Sequence, residues 1–218
     1  MTDPATGEAI RLEPLVARIL AANPSAFTYT GTETYLVGTT DLAVIDPGPD
    51  LPSHIEALIQ AIDGRPVVAI LCTHTHRDHS PASRAIKTAT GASIIGCAPL
   101  ALDDNGPRAD AAFDRDYQPD RVLTDGEQVT GQGWTLTAVA TPGHTSNHLC
   151  FVLEEEKALF SGDHVMGWST TVVSPPDGDM ADYMRSLALL MERDDAIYYP
   201  AHGKPVDNPK RLVRGMMG

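Results

Sequence analysis

Six consecutive residues, His74-Thr75-His76-Arg77-Asp78-His79, carry three imidazoles and a carboxylate, and they follow directly on the apolar run Val67 to Cys72. Imidazole nitrogen is the commonest protein ligand for borderline metals such as zinc, and a hard carboxylate beside it lets a second cation bind next to the first. Interiors rarely tolerate so many adjacent polar groups without a compensating charge, so H-x-H-x-D-H at a strand exit points to a metal site rather than to packing. Three further places share one pattern, in which a strand ends, glycine or proline turns the backbone, and a metal-competent side chain appears: Gly143-His144, Gly162-Asp163 and Ala201-His202-Gly203. Together with the cluster they supply five histidines and two aspartates, enough for two ions with an open position.

The elements that must position these residues alternate along the chain. Short strands are expected at Ser25 to Thr30, Thr34 to Val37 and Leu42 to Ile45, with Gly31 and Gly38 as turns and Asp46-Pro47-Gly48-Pro49 as a sharp stop. Ile55, Leu58, Ile59 and Ile62 recur at helical spacing, and Val67 to Cys72 is too short for a helix and reads as a buried strand. Ser80-Pro81 resembles an N-cap with proline at the first helical position, opening a helix that ends near Gly91. Ser93 to Gly96, Trp134 to Ala140, Leu149 to Leu153, Ala158 to Phe160 and Ile197 to Tyr199 read as strands; Ala181 to Glu192 and Asn208 to Met217 read as helices. The aspartate-rich stretch from Leu102 to Asp120 reads as an irregular surface excursion, of the kind that borders sites. Strands in a meander, then strands alternating with helices, twice over, predict an α/β fold with two mixed β-sheets face to face and helices outside, a four-layer αββα sandwich.

With 218 residues and 42% hydrophobic content, one domain over residues 1–218 is the expectation, with a sizeable core. A formal charge of −13, from 29 acidic and 16 basic side chains, argues against non-specific nucleic-acid binding by the chain as a whole, although bound dications would soften that count. Cys72, Cys97 and Cys150 are odd in number and lack C-x-x-C spacing, so each is expected to pack as a small apolar residue. No signal-peptide core and no run of eighteen apolar residues is present, which points to a cytoplasmic setting with no membrane partner. Oligomeric state leaves no mark in the sequence.

The ordered set His74-Thr75-His76-Arg77-Asp78-His79, Thr141-Pro142-Gly143-His144, Ser161-Gly162-Asp163 and Pro200-Ala201-His202-Gly203 resembles the metallo-β-lactamase superfamily from about Phe27 to about Gly203. Asp46 matches that family's first motif, an aspartate that holds the ligands from behind. The resemblance implies that His74, His76 and His144 hold one ion, that Asp78, His79 and His202 hold the other, and that Asp163 bridges them. It implies two Zn2+ per chain, with iron or manganese as alternatives, and a hydrolase whose nucleophile is a bridging hydroxide oriented by Asp78. The wording around Gly31 to Val37 and Phe160 to Asp163 is most similar to the lactamase-β-like, endoribonuclease-like group. The substrates so implied are a phosphodiester of single-stranded RNA or a small ester or lactam. An iron-dependent redox protein on the same ligands, a glyoxalase-type thioesterase and a non-catalytic regulator remain as alternatives. Relatives in the group continue into a winged-helix appendage, expected here to be absent or removed after residue 218.

Other residues carry two readings. His148 is a catalytic candidate beside Asp78, contacting substrate or leaving group, or else a hydrogen-bonded structural histidine. His164 is expected to pack behind the ligands, His54 to be solvated ahead of a surface helix, and Arg77 to support its loop. Trp168 is either a pocket wall or a loop anchor, and Lys204, Lys210, Arg211 and Arg214 are cations on a solvated terminal helix or a phosphate patch.

Overall fold

The computed structural model describes residues 5–100 and 113–218. The first half forms a seven-stranded sheet from β1 (Ala9–Glu13), β2 (Val16–Leu20), β3 (Glu33–Val37), β4 (Leu42–Ile45), β5 (Val67–Cys72), β6 (Ser93–Gly96) and β7 (Arg121–Val122), paired in chain order. The first four strands are an antiparallel meander. The pairs from β4 to β7 are parallel, and parallel neighbours require a crossover. Helices α1 (Pro52–Ile62) and α2 (Ser83–Thr90) supply the first two such crossovers.

The second half forms a five-stranded sheet ordered β12-β11-β10-β9-β8, built from β8 (Gln128–Gly131), β9 (Trp134–Ala140), β10 (Leu149–Leu153), β11 (Ala158–Gly162) and β12 (Ile197–Pro200). Only its β11–β12 pair is parallel, with α3 (Met180–Glu192) in the crossover; α4 (Pro209–Met217) follows β12.

The layering follows from the two-residue period of strands. Along β10, Leu149, Phe151 and Leu153 enter the core shared with the first sheet, whereas Cys150 and Val152 join Tyr183, Leu187 and Leu190 of α3 and Val213 of α4 on the outer face. Each fully buried side chain such as Phe151 contributes roughly 1.5–3 kcal/mol relative to exposure. Helices therefore cover the outer faces of two stacked mixed sheets, the αββα sandwich that the order of elements predicts.

Most of the expected strand boundaries fall within a residue or two of the observed ones, and the remaining elements correct the expectation. Ser25 to Thr30 is a loop, because the Ser25 hydroxyl accepts from the backbone N–H groups of Phe27 and Thr28 and competes with strand pairing. Ser80 does not cap α2, which starts at Ser83, because its hydroxyl donates to Asp114 at 2.8 Å. Strands β1, β2, β7 and β8 gave no expectation from sequence; β1 is mostly exposed and pairs only as an edge. Of the excursion expected from Leu102 to Asp120, residues 102–112 lie outside the described residues, and the rest is anchored by Tyr117, which donates to the Cys97 carbonyl. The three cysteines are buried and free, as apolar packing requires. No described helix is long and apolar enough to cross a membrane.

Strand directions decide where chemistry can gather. β4 and β5 run parallel, and in the second sheet β9 and β11, both antiparallel to β10, run with β12. Their C-terminal ends share one edge of the sandwich, and the Leu149 N–H donates to the Thr73 carbonyl at 2.8 Å across the two sheets.

Candidate metal centre

Every ligand candidate sits just past one of these strand ends. β5 runs into Thr73 and the histidine cluster, β9 into Thr141 to His144, β11 into Asp163, and β12 into Ala201 and His202. Two glycines make the turns sharp enough. Gly143 has φ +145°, and a Cβ there would lie 2.4 Å from the Tyr183 Cα; Gly162 has φ +52°, and a Cβ there would lie 2.6 Å from His148 Nε2.

The imidazoles are aimed by what their far nitrogens hold. His79 Nδ1 donates to Asp46 Oδ2 at 3.0 Å, His202 Nδ1 to the Gly31 carbonyl at 3.0 Å, and His144 Nδ1 to the Val172 carbonyl at 2.6 Å. The Thr73 hydroxyl gives its proton to Asp46 Oδ2, so at 3.0 Å it accepts from His74 Nδ1. All four Nε2 atoms are left facing one centre, the orientation that metal-binding histidines adopt. Asp46 itself takes a left-handed backbone, φ +47°, and its other oxygen accepts from the Thr73 N–H at 2.8 Å.

Two donor groups result: His74, His76, His144 and Asp163, and beside them Asp78, His79 and His202, with the donor atoms of each group within 4.8 Å of one another. In the first group, His76 Nδ1 lies 3.0 Å from His74 Nε2 and 3.2 Å from His144 Nε2. Those separations approach the edge of roughly 3.3 Å that a tetrahedron with zinc–nitrogen bonds of about 2.0–2.1 Å has. The Asp163 carboxylate divides between the groups. Its Oδ2 is 3.9 Å from His74 Nε2 and 3.6 Å from His144 Nε2, while Oδ1 is 3.5 Å from His79 Nε2 and 3.3 Å from His202 Nε2.

Protonation follows the same division. Burial drives His74 well below the ordinary imidazole value, helped by the neighbouring His79, and takes His144 down to about 4, so both stay neutral and free to donate lone pairs. Burial pushes the same way on His202, but Asp163 and Asp78 outweigh it and lift that ring to about 10. Burial raises Asp78 and Asp163, yet the facing His79 and His202 hold both carboxyls well below the usual range. Ionised carboxylates and inward nitrogens suit divalent cations. His79 Nε2 and Asp163 Oδ1 are buried and lack a hydrogen bond of acceptable geometry, a costly state that a bound cation relieves. The residues present fit a pair of divalent ions.

A cavity opens onto Asp78, Asp163, His76, His144 and His202, with Phe27, Met166 and Val172 as apolar walls. All seven ligand candidates are brought together. His148 is not at that surface. It is 1% exposed, its Nε2 accepts from the Asp163 N–H at 3.2 Å, and its Nδ1 therefore donates to the Thr141 hydroxyl at 2.9 Å. The catalytic reading of His148 gives way to the structural one: both nitrogens are engaged, and the ring holds the Asp163 backbone.

Three other expectations meet the structure. His54 is not solvated; it lies inside α1 at 2% exposure and donates to Thr34 Oγ1 at 2.9 Å, and that hydroxyl donates to the Asp46 carbonyl. Pro52 opens the helix two residues earlier, which turns His54 inward, and sequence reasoning missed this support for the Asp46 turn. Arg77 is exposed and makes no hydrogen bond or ion pair among the described residues, so it does not brace the loop. His164 is fully buried against Tyr183, with ring centroids 4.8 Å apart, as packing behind the ligands requires.

The family model described as the metallo-beta-lactamase superfamily matches residues 28–202. An atrochrysone carboxyl ACP thioesterase of Aspergillus chevalieri is 37% identical over 210 residues, covering 93% of this chain and 61% of that protein. The lactamase-like protein nscB of Aspergillus fumigatus is 35% identical over 218 residues, covering 97% of this chain and 60% of that protein. The chain thus spans about three-fifths of the length of these curated relatives. Among solved structures, a metallo-beta-lactamase family protein from Thermus thermophilus superposes with a TM-score of 0.76 at 22% identity, covering 95% of this chain and 79% of that one.

Proposed function

The chain belongs to the metallo-β-lactamase superfamily, and on that premise we propose that it is a binuclear metal-dependent hydrolase of acyl thioesters or related esters, with zinc as its metal. The observation that carries the proposal is the Asp163 carboxylate with one oxygen turned to each donor group, the placement of a bridging ligand. Bound there, a pair of dications would lower the pKa of water toward neutrality and polarise a carbonyl oxygen.

The chain's own residues supply the rest. His74, His76 and His144 would hold one ion, and Asp78, His79 and His202 the other. Asp78 is 17% exposed at the cavity, ionised, and can orient an attacking water by accepting a hydrogen bond from it. Phe27, Met166 and Val172 give the open side apolar walls, which would exclude bulk water once a substrate is seated and so strengthen the electrostatics within.

A thioester ranks ahead of the RNA phosphodiester that the sequence resemblance put first. A relative bears the name of an acyl-carrier thioesterase. The net charge of −13 also disfavours a polyanion. The test is a panel of acyl thioesters, a lactone, a β-lactam and labelled single-stranded RNA, offered to protein whose metal content has been measured. Turnover is expected on thioesters at about two zinc ions per chain. RNA cleavage without thioester turnover, or iron with dioxygen consumption, would overturn the reading.

A further inference from the structure

The segment from Asn23 to Thr32, between β2 and β3, keeps two aromatic rings in solvent: Phe27 is 51% exposed and Tyr29 47%. A slack loop would fold such rings down, but this one is braced. Ser25 Oγ accepts from the Phe27 and Thr28 N–H groups at 3.1 Å, and the Thr28 hydroxyl donates to the Asn23 carbonyl. The Asn23 side chain accepts from Thr32 N at 2.9 Å and donates to Thr32 Oγ1 at 3.0 Å, closing the loop. Tyr29 takes φ +56°, a left-handed backbone that side chains with a Cβ disfavour and that persists where surrounding structure enforces it.

From the other side, Trp168, on the segment after Asp163, stacks on Tyr29 with ring centroids 4.9 Å apart and planes 12° from parallel. Phe27 lines the metal cavity, and Trp168 lines the groove of about 740 Å³ that meets this cavity at Met166. Exposed aromatic rings at the rim of a cavity mark a ligand site, and flat rings prefer flat partners in offset or edge contact.

We propose that Phe27, Tyr29 and Trp168 form a preorganised platform for a planar aromatic acyl group, selecting aryl acyl thioesters or esters over short aliphatic ones. The proposal rests on the hydrolase reading for the bond that is cleaved, and on the loop geometry alone for what is bound. A purely structural Tyr29–Trp168 stack would pin two segments together and leave Phe27 without a role in binding.

The test separates the two. Metal-loaded protein is titrated by calorimetry with 2-naphthamide and with octanamide, neither of which carries the labile ester bond. Naphthamide should bind about tenfold more tightly than octanamide, and Phe27→Ala and Trp168→Leu should each weaken naphthamide by roughly fivefold to tenfold. Thermal midpoints of the Phe27 variant should not move, since its ring is half exposed. The same variant should raise KM for a 2-naphthoyl thioester at least about fivefold more than for an acetyl thioester. Equal binding of the two amides, no binding of either, or an unaltered Phe27 variant would overturn the platform. Absence of thioester turnover with naphthamide binding intact would instead overturn the hydrolase reading.

Discussion

At the scale of single residues, the position of Asp163 depends on groups behind it as much as on those it faces. Its N–H is held by His148, and its carboxylate stands between His144 on one side and His202 on the other. Asp163→Ala should therefore remove metal from both positions and lower turnover by at least about 100-fold, the upper range for partners one step further from the ion. Elemental analysis beside kinetics checks this; unchanged metal content would refute the bridge. His148→Leu leaves the buried Asp163 N–H unpaired, a loss of about 1–3 kcal/mol, so denaturant midpoints and bound metal should fall together. Full metal with slowed turnover would return His148 to a catalytic role. His54 carries a pH dependence. Burial pushes its imidazole down to about 4, only partly opposed by a hydrogen bond to the Pro47 backbone. A depressed histidine contributes stability that is present above the ordinary value of 6.5 and is lost as pH falls toward the folded value. Relative to wild type, the destabilisation of His54→Gln should thus shrink by roughly 2 kcal/mol between about pH 7.5 and about pH 5. A constant difference would show that His54 titrates as a solvated group.

Elements explain how much of this could be read in the sequence. The site was legible because its donors follow β5, β9, β11 and β12 at strand ends, and each strand announces itself by an apolar run or by alternation. The ligand side chains needed no long-range information. What lies behind them did. Whether His148 faces the cavity depends on how Gly162 brings β11 against its ring and on its hydrogen bond with Thr141, and whether His54 is solvated depends on Thr34, twenty residues away in β3. Phe27 and Tyr29 imitate a strand by composition, and only the hydrogen bonds of Ser25 and Asn23 decide for a loop. Edge strand β1 has only the short alternation Ile10-Arg11-Leu12-Glu13 and is almost wholly exposed, too weak a signal to stand out. The turn after β11 gives a test at this scale. Gly162→Ala places a Cβ at φ +52° against His148 Nε2 and Thr73 Oγ1, so it should cost more than the roughly 1 kcal/mol typical of a left-handed residue and should reduce metal binding. A variant with wild-type stability and metal content would mean that the turn is not what sets Asp163.

For the whole molecule, stacking of the two sheets and strand polarity create a single edge at which donors from both halves of the chain meet. A bound metal pair would join these halves, so chelation should loosen that edge: the thermal midpoint should drop on metal removal and rise again with added zinc in a concentration-dependent way. The charge of −13 has its own consequence. Non-specific RNA binding should be weaker than the roughly 10⁻⁴ M typical of basic proteins at physiological salt. Whether the seven side chains take up two ions with Asp163 between them is read out by anomalous diffraction from crystals grown with zinc. Two peaks about 3.5–4 Å apart are predicted, one against His74, His76 and His144 and one against Asp78, His79 and His202; a single peak, or peaks remote from these side chains, would contradict the account.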